Sequence, residues 1–301
     1  MNIRKLASLI SNGKFITQVS FNFTGSMMAS AEVDPGCVNL WNTNTWEQIQ
    51  TLDGHTDGVS AITFSPHQNI LASGGYDGTI KLWDVPSGNY LKAFTGYQKR
   101  IWRVQYDPSG NIIISSSLKK YSQLWNVEAS SLIRLVEIPY LPDSLSFSSD
   151  GKLLAIADVG KIIFQDVTTG TTVRNLVSLS NELTPIAYSP NNDLLITGSQ
   201  NERINIWNLQ MGIVEKSLGM PGQRAKFPHF NPDGNMLACA YDWDSCIKFW
   251  DTETYQEIQT VYSELDKIYS LAFSPDWHFF ACVAEDQSKH VSMIEVWQIE
   301  S

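Results

Sequence analysis

His55, Ser73 and Asp77 are the residues of this 301-residue chain that come closest to a reactive set. A serine, a histidine and an aspartate in one hydrogen-bonded line make the hydroxyl a nucleophile for acyl transfer. The motifs that would support such chemistry are missing. There is no G-x-S-x-G turn, no glycine-rich phosphate loop, no H-E-x-x-H and no C-x-x-C pair. His67, His229, His278 and His290 are scattered, and Cys37, Cys239, Cys246 and Cys282 show no ligand spacing. The expectation is a non-enzyme with no metal, no cofactor and free, packed thiols.

The three residues belong to a larger order. Phe21, Phe64, Tyr106, Phe147, Tyr188, Phe230 and Phe273 recur at steps of 43, 42, 41, 41, 42 and 43 residues. A period of about 40–45 residues marks one supersecondary unit copied along the chain. Residues 54–95 show its content. Val59–Phe64, Ile70–Gly74, Thr79–Trp83 and Tyr90–Phe94 read as short strands, parted by Ser65-Pro66-His67-Gln68-Asn69, Tyr76-Asp77-Gly78 and Pro86-Ser87-Gly88. Four antiparallel strands with two apolar faces need neighbours on both sides, so the copies must stack.

Gly54-His55, Ser73, Asp77, Trp83 and Asp84 carry the signature of the WD-repeat family, and this copy resembles one blade of its β-propellers. The resemblance extends along the chain. Trp41, Trp83, Trp125, Phe164, Trp207, Trp250 and Trp297 read as one third-strand aromatic per copy. Each precedes a polar residue: Asn42, Asp84, Asn126, Gln165, Asn208, Asp251 and Gln298. The fold expected is all-β, a seven-bladed propeller of four-stranded antiparallel blades in a single domain over 1–301. The blades are expected near 12–53, 54–96, 97–137, 138–178, 179–219, 220–262 and 263–301. The last copy lacks a fourth strand, so residues 2–10 are expected to supply it, closing the ring and marking the chain as complete.

In the family, His, Ser, Asp and Trp form a structural hydrogen-bonded tetrad, and blade 2 has all four in His55, Ser73, Asp77 and Trp83. That role accounts for the apparent triad. Blade 1 keeps Ser30, Asp34 and Trp41, whereas Lys119 and Asn201 stand at the turn Asp of blades 3 and 5. Cys239 and Cys282 replace the Ser of blades 6 and 7, and blade 4 departs furthest with Ile156.

The resemblance also implies a docking face around a central channel, where positions four and six before each repeating aromatic point. The inner set is Thr17, Ser60, Trp102, Asp143, Thr184, Lys226 and Tyr269, flanked by Phe15, Gly58, Arg100, Leu141, Glu182, Arg224 and Lys267. Trp102 and Tyr269 are candidate anchors, since aromatics and Arg dominate binding hot spots. Arg224, Lys226 and Lys267 form a basic arc, with Asp143 and Glu182 opposite, which favours an acidic or phosphorylated protein or peptide. Two other contact candidates are the hairpin around Glu285-Asp286-Gln287-Ser288-Lys289-His290 and Trp243.

The function expected is a non-catalytic scaffold or adaptor, possible also as a subunit of a larger complex. The alternatives are a sensor holding a small molecule in the channel, or nucleic-acid binding through the basic arc. A net charge of −10 opposes nucleic acid and anionic membrane. No apolar run approaches the ~20 residues of a membrane span. Cysteine usage and the short apolar N-terminus suit a cytoplasmic protein.

Overall fold

The computed structural model describes residues 1–10, 15–96, 100–117, 121–138, 145–178, 186–198, 203–219, 225–241, 244–288 and 291–300. Among them every regular element is a strand. The N-terminal strand is β1 (Asn2–Leu9). Blade 1 holds β2 (Ile16–Phe21), β3 (Met27–Glu32), β4 (Val38–Asn42) and β5 (Gln48–Leu52). Blade 2 holds β6 (Val59–Phe64), β7 (Ile70–Gly75), β8 (Ile80–Asp84) and β9 (Asn89–Phe94). Blade 3 holds β10 (Ile101–Tyr106), β11 (Ile112–Ser117), β12 (Tyr121–Asn126) and β13 (Ser131–Glu137). Blade 4 holds β14 (Leu145–Phe147), β15 (Leu153–Asp158), β16 (Lys161–Asp166) and β17 (Thr172–Val177). Blade 5 holds β18 (Ile186–Tyr188), β19 (Leu194–Gly198), β20 (Ile204–Asn208) and β21 (Ile213–Leu218). Blade 6 holds β22 (Ala225–Phe230), β23 (Met236–Tyr241), β24 (Cys246–Asp251) and β25 (Glu257–Tyr262). Blade 7 adds β26 (Lys267–Phe273), β27 (Phe279–Asp286) and β28 (Val291–Glu300).

Each blade is a four-stranded antiparallel sheet in chain order, and the seventh runs β26, β27, β28, β1. These are the seven blades of a β-propeller. The N-terminal strand completes blade 7 as expected: Asn2 pairs with Glu300, and Leu9 with Ile294.

The first turn of six blades, all but blade 2, repeats one device. The backbone N–H three residues past its start returns to the first carbonyl: Gly25 to Asn22, Gly110 to Asp107, Gly151 to Ser148 and Gly234 to Asn231. That fourth residue has φ between 69° and 75°, so glycine suits it, and Asn192 and Trp277 take the place at 61° and 57°. The first side chain caps the turn. Asp107 accepts from the Ile112 N–H at 2.7 Å, and Ser148 from the Leu153 N–H at 2.9 Å.

The chain forms two compact units, Met1–Leu135 with Leu265–Ser301, and Val136–Glu264. In the first, facing sheets bury shared apolar clusters. Val19, Phe21 and Trp41 of blade 1 pack with Val283, Ile294 and Val296 of blade 7. Leu40 and Leu52 of blade 1 pack with Ile62, Leu71 and Trp83 of blade 2. In the second unit, Phe164 and Leu176 of blade 4 meet Ile186, Leu195 and Trp207 of blade 5. Every third-strand Trp thus leans on the preceding blade of its unit wherever that blade is present.

Blade 4 corrects one expectation. In the other six blades the second-strand partner of the third-strand Trp is Met28, Leu71, Ile113, Leu195, Leu237 or Phe280. In blade 4 the equivalent residue, Leu154, pairs with Gln165, and Phe164 pairs with Ala155. Gln165 therefore stands at the Trp position, while Phe164 aligns with Leu40, Leu82 and Leu124. The hairpin is shorter here, with Asp158 opposite Lys161, so counting to the nearest ring slips by one residue and changes the face.

Candidate functional site

The apparent triad of blade 2 is a closed structural network. The Trp83 indole N–H donates to the Ser73 hydroxyl at 2.8 Å, Ser73 lies 2.7 Å from His55 Nε2, and His55 Nδ1 lies 2.9 Å from Asp77. Asp77 also accepts from the Thr79 hydroxyl at 2.7 Å and from the Thr56 N–H at 3.1 Å. Burial holds His55 below its ordinary value, so it is neutral near pH 7. Burial alone would raise Asp77, but the Thr79 bonds and His55 outweigh it and hold the carboxyl low. One donor order satisfies every group: indole to hydroxyl, hydroxyl to Nε2, and Nδ1–H to carboxylate. Ser73 is fully buried and occupied on both sides, so no substrate carbonyl can reach it. Gly54 has φ 150°, and a side chain there would press on the Trp83 ring at 3.2 Å, which explains the Gly-His pair.

The indole–hydroxyl part recurs where the sequence keeps it. Trp41 donates to Ser30 at 2.9 Å, Trp125 to Ser115 at 2.9 Å and Trp207 to Thr197 at 3.0 Å. In blades 6 and 7 burial pushes the Cys239 and Cys282 thiols well above their usual range, which leaves them unreactive. Lys119, Asn201, Trp243 and His290 lie outside the described residues.

Four of the residues expected on a docking face, with Phe15, take part in two aromatic–cation clusters, both in the first unit. Arg100 stacks on Tyr76, its guanidinium carbon 3.4 Å from the ring centroid, and sits 5.5 Å from the Trp102 ring. The two rings are 6.2 Å apart and tilted by 48°. Trp102 is 37% exposed, while most tryptophans of the chain are buried in the sheets. In the other cluster Lys267 lies 4.9 Å from the Tyr269 ring, and Phe15 meets the same ring edge-on at 5.5 Å. The Tyr269 hydroxyl donates to the Glu285 carboxylate.

Two inner-set residues work in the seams between blades. Thr17 donates to the Val59 carbonyl at 3.0 Å, and Ser60, buried, donates to the Ile101 carbonyl. Gly58 is buried too, and a Cβ there would come within 2.9 Å of Val33.

Two family models match this chain: the IFT122 first β-propeller over residues 15–227, and the WD domain, G-β repeat, over residues 227–251. The chain belongs to the WD-repeat β-propeller family. Propellers of this family are generally protein-interaction scaffolds without catalytic chemistry of their own. Among similar proteins is a WD repeat-containing protein, SL1-17, from Schistosoma mansoni. It is 27% identical over 154 residues, 51% of this chain and 50% of the relative. Human apoptotic protease-activating factor 1 is 30% identical over 105 residues, 32% of this chain and 8% of the relative. The COMPASS component SWD3 of Saccharomyces cerevisiae is 26% identical over 125 residues, 41% of this chain and 39% of the relative. The WD-repeat chain thus spans half or less of the length of these curated relatives.

Of the other face residues expected in this WD-repeat chain, Lys226 is described and partly buried. Asp143, Glu182, Arg224, Leu141 and Thr184 lie outside the described residues, and so does most of the expected charge polarity. Tyr76 is the residue that sequence reasoning missed. Its signal was its place beside Asp77 in the blade 2 hairpin, one seam away from Trp102. The surplus residues of blade 7 lengthen β27 and β28 to 8 and 10 residues, which carries Glu285 up to Tyr269. Among the described residues no group of His, Cys, Asp and Glu could hold a metal ion, and no helix is long and apolar enough to cross a membrane.

Proposed function

We propose that this chain is a non-catalytic adaptor that captures an acidic or phosphorylated segment of a protein partner on the Arg100–Trp102 face. The observation that carries the reading is Arg100 set over the Tyr76 ring at 3.4 Å and beside the Trp102 ring at 5.5 Å. Aromatic faces fix a guanidinium without consuming its N–H donors, which stay directed at an incoming carboxylate or phosphate. Lys267 on Tyr269 gives a second, weaker cationic point, because Glu285 is already bonded to that tyrosine. The overall charge of −10 repels an acidic segment at long range and leaves its recognition to these local cations.

The test is fluorescence anisotropy with labelled peptides rich in aspartate, carrying phosphoserine, or rich in lysine. The acidic and phosphorylated peptides should bind, and the Arg100→Ala/Trp102→Ala pair should lose about tenfold or more in affinity without a change in melting temperature. Preference for the lysine-rich peptide, or equal binding by the double variant, would refute this assignment.

A further inference from the structure

The indole–hydroxyl bonds of the other blades divide the blade 2 tetrad into two halves. Trp41, Trp125 and Trp207 donate to Ser30, Ser115 and Thr197 in blades 1, 3 and 5. No histidine stands in the sequence of those blades. The Trp–Ser half therefore forms without the His–Asp half, and anchoring the third strand gives no reason for His55 and Asp77 in blade 2.

What His55 and Asp77 hold is the turn from β7 to β8. One Asp77 oxygen accepts from His55 Nδ1 at 2.9 Å and from the Thr56 N–H at 3.1 Å. The other accepts from the Thr79 N–H at 3.0 Å and from the Thr79 hydroxyl at 2.7 Å. One carboxylate thus ties the segment entering blade 2 to the far side of its own turn. Between these anchors the Tyr76 N–H donates to the Gly58 carbonyl at 2.7 Å, and the Gly75 N–H to the Thr79 carbonyl at 3.0 Å. A side chain at Gly75 would press on the His55 ring and the Asp77 carboxylate, so glycine lets both approach. The backbone is fixed on either side of Tyr76, whose ring lies under Arg100 at 3.4 Å.

Arg100 is exposed and Tyr76 is half-buried. A cation over a ring at an exposed site is a weak contact. It does not offset the entropy of ordering both a loose turn and a long side chain. The ring has to be in place first. We infer that Asp77, oriented by His55, is a positioning residue of the anion site, fixing the turn so that the Tyr76 ring presents Arg100 to the ligand. This rests on the docking reading of the Arg100–Trp102 face and adds what keeps that face ordered before the partner arrives. Ordering in advance raises affinity by removing a cost of binding.

The test reads Arg100 first without a ligand and then with one. In the arginine side-chain NMR spectrum of the isotope-labelled chain, the Arg100 signal is the one lost in Arg100→Ala. Its protons lie over the Tyr76 ring and should be shifted upfield, and Tyr76→Leu should return them to the position of a free arginine. Asp77→Ala should do the same. Thr79→Val, at a partly exposed position, removes one of the four donors to Asp77 and should move the signal part of the way. Thr197→Val removes the Trp207 acceptor in blade 5 and should destabilise the chain without moving the Arg100 signal. By fluorescence anisotropy, affinity for the aspartate-rich and phosphoserine peptides should fall about threefold in Asp77→Ala and stay unchanged in Thr197→Val. An Arg100 signal unmoved by both Asp77→Ala and Thr79→Val, or moved equally by Thr197→Val, would overturn the positioning role. A wild-type chain that shows the shift but binds neither peptide would refute the docking reading alone, since the shift is measured before any peptide is added.

Discussion

Ser73 illustrates how one hydroxyl can look reactive in sequence and be inert in the fold. It takes the Trp83 indole proton and faces His55, so its loss leaves two buried groups unsatisfied. Ser73→Ala and Asp77→Ala should each cost about 1–3 kcal/mol in urea unfolding, with the strand structure retained. The network also sets a pH response. His55 in the folded chain lies below its ordinary value of 6.5, chiefly through burial. The unfolded chain therefore binds the proton first as pH falls. The stability His55 contributes is complete above about pH 6.5 and declines below it towards the depressed folded value. Asp77, also held low, adds a second loss as pH falls below its ordinary 3.8. His55→Gln should flatten the first of these declines, and an unchanged slope between pH 5 and 6.5 would count against the neutral-histidine assignment. The blade 2 tetrad was legible because its four residues keep family spacing. Blade 4 was not, because Gln165 takes the Trp position and Phe164 the one before it under a hairpin one residue shorter than that of blade 2, and ring-counting cannot see strand register.

The N-terminal strand shows the same division among elements. That β1 would join blade 7 followed from a missing fourth strand. What holds it was hidden. Glu295 on β28 is fully buried, and Lys5 on β1, its side chain 19% exposed, meets it at 2.7 Å. Alternation along β28 gives no reason to expect an interior carboxylate, and its counter-charge lies at the other end of the chain. Lys5→Met should cost about 3–5 kcal/mol by stranding the Glu295 charge. Lys5→Met/Glu295→Met should recover most of that loss, because two apolar side chains replace a pair whose desolvation offsets its attraction. A double variant as unstable as the single one would show that Lys5 acts through packing alone.

Within each unit of the molecule, blades are joined by shared apolar clusters and by polar side chains that reach the next blade's carbonyls. Thr17, Ser60, Lys92 and Arg174 all make such bonds, to Val59, Ile101, Val127 and Leu209. Stability should therefore spread from blade to blade within a unit rather than stay with one sheet. Hydrogen exchange of Lys5→Met should lose protection in β2 and β3 as well as in β26–β28, since Val19, Phe21 and Met28 share a cluster with Val283 and Ile294. Loss confined to β1 and β28 would contradict that coupling.

The sequence by itself determined the copy number, the strand order within a copy, the blade 2 tetrad and the pairing of the N-terminal strand with the last blade. Each of these is a local pattern repeated at a fixed period, and repetition makes a weak signal readable. The tertiary structure alone decided which residues meet across the seams: Tyr76 under Arg100, Lys5 against Glu295, and Phe164 edge-on to Tyr188. Those contacts join side chains of neighbouring sheets or of opposite chain ends. They depend on strand register and on the length of single side chains, which no periodicity encodes.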